Sequence, residues 1–135
     1  MNATENMNMK KAFADAMKQE LGVYIKNARK RYEDAQAKLI ADIQTNPVSA
    51  ITWSAEDMVK RQTDHEVWLR IEREMAEHNP REVLAENLKE VQYRIRSFFG
   101  SNSTSMFSNS VERARAEAHV RLAEELERLC KHYGI

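Results

Sequence analysis

The side chains best placed to do chemistry are four histidines, one cysteine and two dense runs of charge. His65, His78, His119 and His132 would each need carboxylates, cysteines or further imidazoles at ligand spacing to hold a metal. Neither the Glu-x-x-His arrangement of di-iron bundles nor a His-Glu-x-x-His zinc pattern occurs. Glu74 and His78 stand four apart and meet on one helical face, a spacing that an ion pair accounts for. Three scattered glycines leave no phosphate-cradling loop, and Cys130 reads as a small buried hydrophobe. With no such constellation the expectation is a protein that is not an enzyme and takes no cofactor or metal.

The charged runs point toward binding. Lys26-Asn-Ala-Arg-Lys-Arg31 is the strongest basic cluster, with Lys26 and Lys30 on one face and Arg29 beside them. Lys26, Arg29, Lys30 and Arg31 suit phosphate contacts, which makes a nucleic-acid-binding protein the alternative reading. Glu33 and Asp34 follow at once, however, and charge runs on helices usually serve only solvation.

The second run, Lys60 to Glu66, is wholly polar and sits between Met58-Val59 and Val67-Trp68-Leu69. A core-facing helix needs an apolar residue every three or four positions, and here Gln62 and His65 occupy those places. One expectation is a helix end that projects past the bundle into solvent. The other is a contact surface or polar network built by Arg61, Gln62 and His65, bordered by Trp68 as an interface anchor. A third candidate is the pair Met106–Phe107, which interrupts the polar stretch that starts at Ser101. Phe107 either folds back onto the bundle end or forms with Met106 an exposed anchor for a partner.

The elements that must position these residues are helices. Apolar residues at Phe13, Met17, Leu21, Tyr24, Ala28, Tyr32, Ala35, Leu39 and Ile43 repeat every eleven residues, close to the helical period. They predict a first helix over 8–45, closed by Asn46–Pro47 because the residue before proline leaves the helical region. Ser54-Ala-Glu-Asp57 resembles a capping box, with Trp53 and Met58 as its hydrophobic staple, and predicts a second helix over 54–78. Asn79-Pro-Arg-Glu82 starts a third over 80–99, striped by Leu84, Leu88, Val91, Ile95 and Phe98 or Phe99, with Gly100 as its stop. Asn109-Ser-Val-Glu112 starts a fourth over 109–133, striped by Val111, Ala114, Ala118, Leu122, Leu126, Leu129 and Tyr133, with Gly134 as terminator.

The expected architecture is a single helical domain over 1–135, an elongated all-α four-helix bundle with a flexible Ser/Asn-rich loop at 100–109. Three Gly and two Pro leave too few turns for a many-stranded fold. Lys plus Arg and Asp plus Glu are 21 each, so no global positive field draws nucleic acid to the chain. One cysteine forms no internal disulfide, and no apolar run is long enough for a signal peptide or a membrane span. A soluble cytoplasmic protein is expected, with no membrane partner. The favoured function is non-enzymatic protein binding, as an adaptor, assembly factor or inhibitor, with Arg61, Gln62, His65, Trp68, Met106 and Phe107 as contacts. A homodimer is expected too, because the first apolar stripe outruns its shorter neighbours. A structural subunit of a larger assembly is the remaining alternative.

Overall fold

The computed structural model describes residues 2–100 and 110–135. Helix α1 spans Ala3–Thr45, a short α2 Pro47–Ser49, a π-helical turn Ala50–Ser54, α3 Ala55–Met75, α4 Pro80–Gly100 and α5 Ser110–His132. The four long helices form an elongated all-α bundle, and no strand occurs among the described residues. Met106, Phe107 and the expected cap Asn109 lie outside those residues.

Helix α1 starts earlier than its apolar stripe because cap chemistry, and not periodicity, decides a helix start. The Glu5 amide donates to Asn2 Oδ1 at 2.8 Å, and the Asn2 amide donates to Glu5 Oε2 at 3.3 Å. With 43 residues α1 is about 64 Å long. No neighbour is that long, so only its middle is covered. Met17, Leu21, Ile25, Ala28 and Ala35 are buried, whereas Phe13 and Ile43, at the two ends of the expected stripe, face solvent. Ile25 takes the central place in the core that periodicity assigned to Tyr24.

The second helical segment departs from expectation at its start. Ser54 has helical backbone angles and makes no capping bond; its hydroxyl donates instead to the Asp42 carboxylate of α1. The cap is Asn46, whose Oδ1 accepts from the Ser49 amide at 3.3 Å, with Pro47 at the first helical position. Between this cap and α3 the five-residue π turn inserts an extra residue into the helical count. Ala50 and Ser54 turn inward, and Ile51 and Trp53 turn out. The expected Trp53–Met58 staple does not form because Trp53 faces solvent. Helix α3 then stops at Met75 and not at 78, in a turn where the His78 amide still donates to the Glu74 carbonyl at 2.9 Å.

Helix α4 starts as its sequence predicts. Asn79 Oδ1 accepts from the Arg81 amide at 2.9 Å, and Pro80 is fully buried at the first helical position. Val83, Leu84, Asn87 and Val91 line its inner face. On α5 the inner face is Ala114, Ala118, Leu122, Leu126 and Leu129, joined by Cys130. Gly134, at φ 70°, ends the helix in the left-handed region that favours glycine, and the Ile135 amide closes the turn on the Cys130 carbonyl at 2.8 Å. The Arg81 guanidinium then ties the start of α4 to the end of α5, donating to the carbonyls of Tyr133 at 2.6 Å and Gly134 at 3.1 Å.

Helix α3 is central: α1 packs on one side of it and α5 on another, and α4 closes against α5. The core runs through Leu21, Ile71, Leu84 and Leu126, all fully buried. Each such side chain contributes about 1.5–3 kcal/mol on leaving water. Among the described residues no helix is long and apolar enough to cross a membrane.

Candidate functional site

Although α1 and α5 both pack on α3, no Cα pair between them comes within 8 Å. That separation leaves a cleft of about 320 Å³ floored by α3. Ala28, Trp68 and Leu122 form its buried apolar base. Tyr24 stacks on Trp68, with ring centroids 5.4 Å apart and planes at 21°, and is partly exposed at the rim.

The walls are charged. Arg31 comes from α1, Arg61 and Asp64 from α3, and Arg121, Glu125 and Arg128 from α5, with Glu124 nearby. Arg61 pairs with Asp57 at 3.6 Å and, more loosely, with Asp64 at 3.9 Å. Among the described residues, Arg31, Arg121 and Arg128 have no carboxylate within 4.0 Å. Burial pushes the Asp64 carboxyl up to about 6, against the pull of Arg121, Arg61 and Arg31. Burial raises Glu125 as well, opposed by Arg31 and Arg128. The cleft is therefore lined by four guanidiniums and three carboxylates above a buried apolar floor.

The run Lys60 to Glu66, expected as a projecting end, instead lies between α1 and α5. Lys60 Nζ reaches Glu117 of α5 at 2.8 Å and Glu56 at 3.4 Å. The hydrogen bond between them raises Lys60 and lowers Glu117 relative to their ordinary values. Thr63 is buried and donates to the Val59 carbonyl at 2.8 Å. The His65 ring stacks on Tyr32 of α1, with centroids 5.2 Å apart, and its Nε2 is buried without a hydrogen-bond partner among the described residues. Gln62 is half-buried. Trp68, expected at the border of a contact surface, is 2% exposed and serves the core, because the α3 face that carries it is the one α1 covers. Of the expected contacts Arg61, Gln62, His65 and Trp68, Arg61 lines the wall of the cleft, Trp68 lies in its buried base, and Gln62 and His65 do not line it.

The basic cluster of α1 is divided. Arg29 pairs with Glu72 of α3 at 3.6 Å, Arg31 lines the cleft, and Lys26 and Lys30 are exposed. It does not act as one strip of cations.

A second region escaped the sequence reading altogether. On the two arms of the Asn46–Pro47 turn, Ile40, Ile43, Val48, Ile51 and Trp53 are all exposed, Ile51 by 79% and Trp53 by 69%. Between Ile40 and Trp53 the sole charged residue is Asp42, and its carboxylate is engaged by Ser54. The apolar content was visible in the sequence, but Trp53 read as a staple residue. Of the five, Ile51 and Trp53 lie within the π turn.

Among the described residues no group of histidine, cysteine, aspartate and glutamate side chains is arranged to hold a metal ion. Cys130 is buried, which raises its thiol. Comparison with protein-family models, with curated proteins and with solved structures finds no match.

Proposed function

We propose that this chain is a non-enzymatic binding protein that occupies a surface of a partner protein, with the corner from Ile40 to Trp53 as its contact. The observation that carries the reading is the exposure of five large apolar side chains around one helical turn. Exposed large apolar side chains gathered in one short stretch of chain suit an interaction site, and Trp is enriched among interface anchors. The near absence of charge from Ile40 to Trp53 fits an apolar protein surface and offers nothing to phosphate.

The test compares the intact chain with an Ile51→Asp, Trp53→Ala variant as bait in a lysate of the source cell, with and without nuclease. A stoichiometric protein held by the intact chain, resistant to nuclease and lost with the variant, supports the reading. Retention that the variant preserves overturns the corner as the contact. Loss on nuclease treatment moves the assignment to the exposed Lys26 and Lys30.

The homodimer expected from the long stripe belongs to the same proposal. Met7, Met9 and Phe13 on the free N-terminal part of α1 are exposed and suit pairing with a second copy. Sedimentation of the intact chain against Phe13→Glu checks it: a dimer mass reduced to a monomer mass supports pairing through this segment, and an unchanged mass overturns it.

A further inference from the structure

We propose that Asp42 and Ser54 form a positioning pair that holds the apolar corner in shape. Their hydrogen bond ties the two arms of the Asn46–Pro47 turn together, sets how Ile51 and Trp53 face outward, and keeps the corner's one charged side chain off the contact surface. This rests on the reading of the corner as a contact and adds which residues shape it.

The hydrophobic core does not reach this far. Its nearest members on the two arms are Ala28 and Val67, each more than three helical turns from the pair. Closer by, side chains are fully buried only where they are small or polar, at Ala35, Ala50 and Thr63, while Leu39 and Met58 stay half-buried. Among the described residues the π turn packs on α1 and on its own neighbours in sequence, and neither α4 nor α5 comes against it. Apolar packing thus fixes the register of α1 and α3 in the body of the bundle but is thin where the corner is set.

Among the described residues four side-chain hydrogen bonds lie between Ile40 and Ser54. Three stay within one helical turn. Thr45 Oγ1 donates to the Ala41 carbonyl at 2.8 Å, the Ser49 amide to Asn46 Oδ1 at 3.3 Å, and Thr52 Oγ1 to the Val48 carbonyl at 2.7 Å. The fourth, from the Ser54 hydroxyl to the Asp42 carboxylate, crosses from one arm to the other. Ser54 is 3% exposed and is the last residue of the π turn, whose wide bond runs from the Ala55 amide to the Ala50 carbonyl. A carboxylate acceptor makes a stronger bond than a neutral one, and a part-buried carboxylate is costly to leave unpaired. With Ala50 and Ser54 held inward, Ile51 and Trp53 between them turn out, and both are more than two-thirds exposed. Asp42 is the sole charged residue from Ile40 to Trp53 and is half-buried against Ser54, so the same bond leaves the outward surface apolar.

The test needs no identified partner. The full chain, isotopically labelled, is compared by NMR with Asp42→Ala and Ser54→Ala, reading the indole N–H signals of Trp53 and Trp68 and hydrogen exchange at the Ala55 amide. Expected are a displaced or broadened Trp53 signal and Ala55 exchange faster by about tenfold or more, with Trp68 and the circular dichroism spectrum unchanged. Either variant alone decides should the other fail to fold. Asp42→Asn keeps an acceptor oxygen and should restore both readouts. Thr45→Ala, which removes a bond within one turn of the same arm, should leave them as they are. A native Trp53 signal and native Ala55 exchange in Asp42→Ala overturn the inference, as does an equal change at Trp68 or in Thr45→Ala. Asp42→Asn behaving like Asp42→Ala overturns the hydrogen bond as the cause. Repeating the lysate capture with Asp42→Ala separates this inference from the reading it rests on: a displaced Trp53 signal with capture unimpaired leaves the pair standing and removes the corner as the contact.

Discussion

Asn46–Pro47 and Asn79–Pro80 are the same dipeptide at two helix junctions, and the chain uses them differently. At the second, the cap bond is short, Pro80 is fully buried, and Arg81 anchors the junction to the carbonyls at the end of α5. At the first, the cap bond is longer, Pro47 is exposed, and the chain passes into a π turn with Val48, Ile51 and Trp53 in water. The local chemistry is equal: asparagine caps and proline starts the helix in both. What differs is the neighbour. The second junction has the end of α5 against it, and the first lies where α1 has run beyond α4 and α5. An identical local signal thus closes the bundle at one end and leaves an open apolar corner at the other.

The helices launched from the two junctions differ in the same way. Helix α4 buries Asn87 and satisfies it: Asn87 Oδ1 accepts from Arg70 Nε at 2.7 Å, and its Nδ2 donates to the Val83 carbonyl at 2.8 Å and to Glu74 Oε2 at 3.2 Å. Helix α3 buries most of Asp64, leaves its nearest cation at 3.9 Å, and places it beside a cleft. Asn87 is fixed by packing, whereas Asp64 keeps one side open to the cleft.

The largest difference between the junctions should appear in the apolar residues each one positions. Leu84→Ala should cost about 2–5 kcal/mol, because Leu84 is fully buried and the cavity left behind collapses only partly. Ile51→Ala should fall within about 0.5 kcal/mol. Urea unfolding of both variants checks this, and equal losses would mean that the corner is packed in solution, by a second copy or another part of the chain.

A smaller effect should come from Asp64. Its folded pKa of about 6 lies above the ordinary aspartate value of 3.8, so the folded chain binds the extra proton between those values. Stability should therefore decline as pH rises from about 4 to about 6, by up to about 2 kcal/mol after allowance for its partly solvated side. Asp64→Asn should remove that part of the pH dependence and be the more stable form near neutrality. Matching unfolding curves for the two proteins at pH 5 and pH 7 would show that Asp64 is not the group responsible.

The smallest contrast concerns the caps. Asn79→Ala should cost about 1 kcal/mol, the ordinary value of a side-chain cap. Asn46→Ala should cost a few tenths, because its bond is longer and Asn46 and Pro47 are exposed. Thermal unfolding of the pair resolves the two, and a larger loss at Asn46 would reverse the comparison.

The two tryptophans show where sequence reading stops. Periodicity and cap signals place Trp53 as a staple at a helix start and Trp68 as an anchor on a polar surface. The structure exchanges these roles: Trp53 is outside and Trp68 is in the core. No local signal marks the π turn, since Ala50 to Ser54 contains residues that an α-helix accepts equally well. The added residue turns the helical face by about 100°, enough to exchange inside and outside.

Local chemistry by itself determined the helical class, the single long first helix, the start of α4 at Asn79–Pro80 and the glycine stop at Gly134. Those features depend on neighbours within four residues, which the sequence displays directly. It also determined the inward face of α5 from Ala114 to Leu129, because a helix with one apolar stripe has one way to hide it; Val111, expected on the same stripe, is exposed in the first turn. Tertiary structure alone decided the cleft and the corner. Arg31, Arg61, Arg121 and Arg128 are far apart along the chain and meet only because α1 and α5 stand apart on α3. Ile40 to Trp53 is exposed only because α1 outruns the helices that would cover it. Backbone hydrogen bonds and caps are local, and the burial of a given face depends on which other helix arrives beside it.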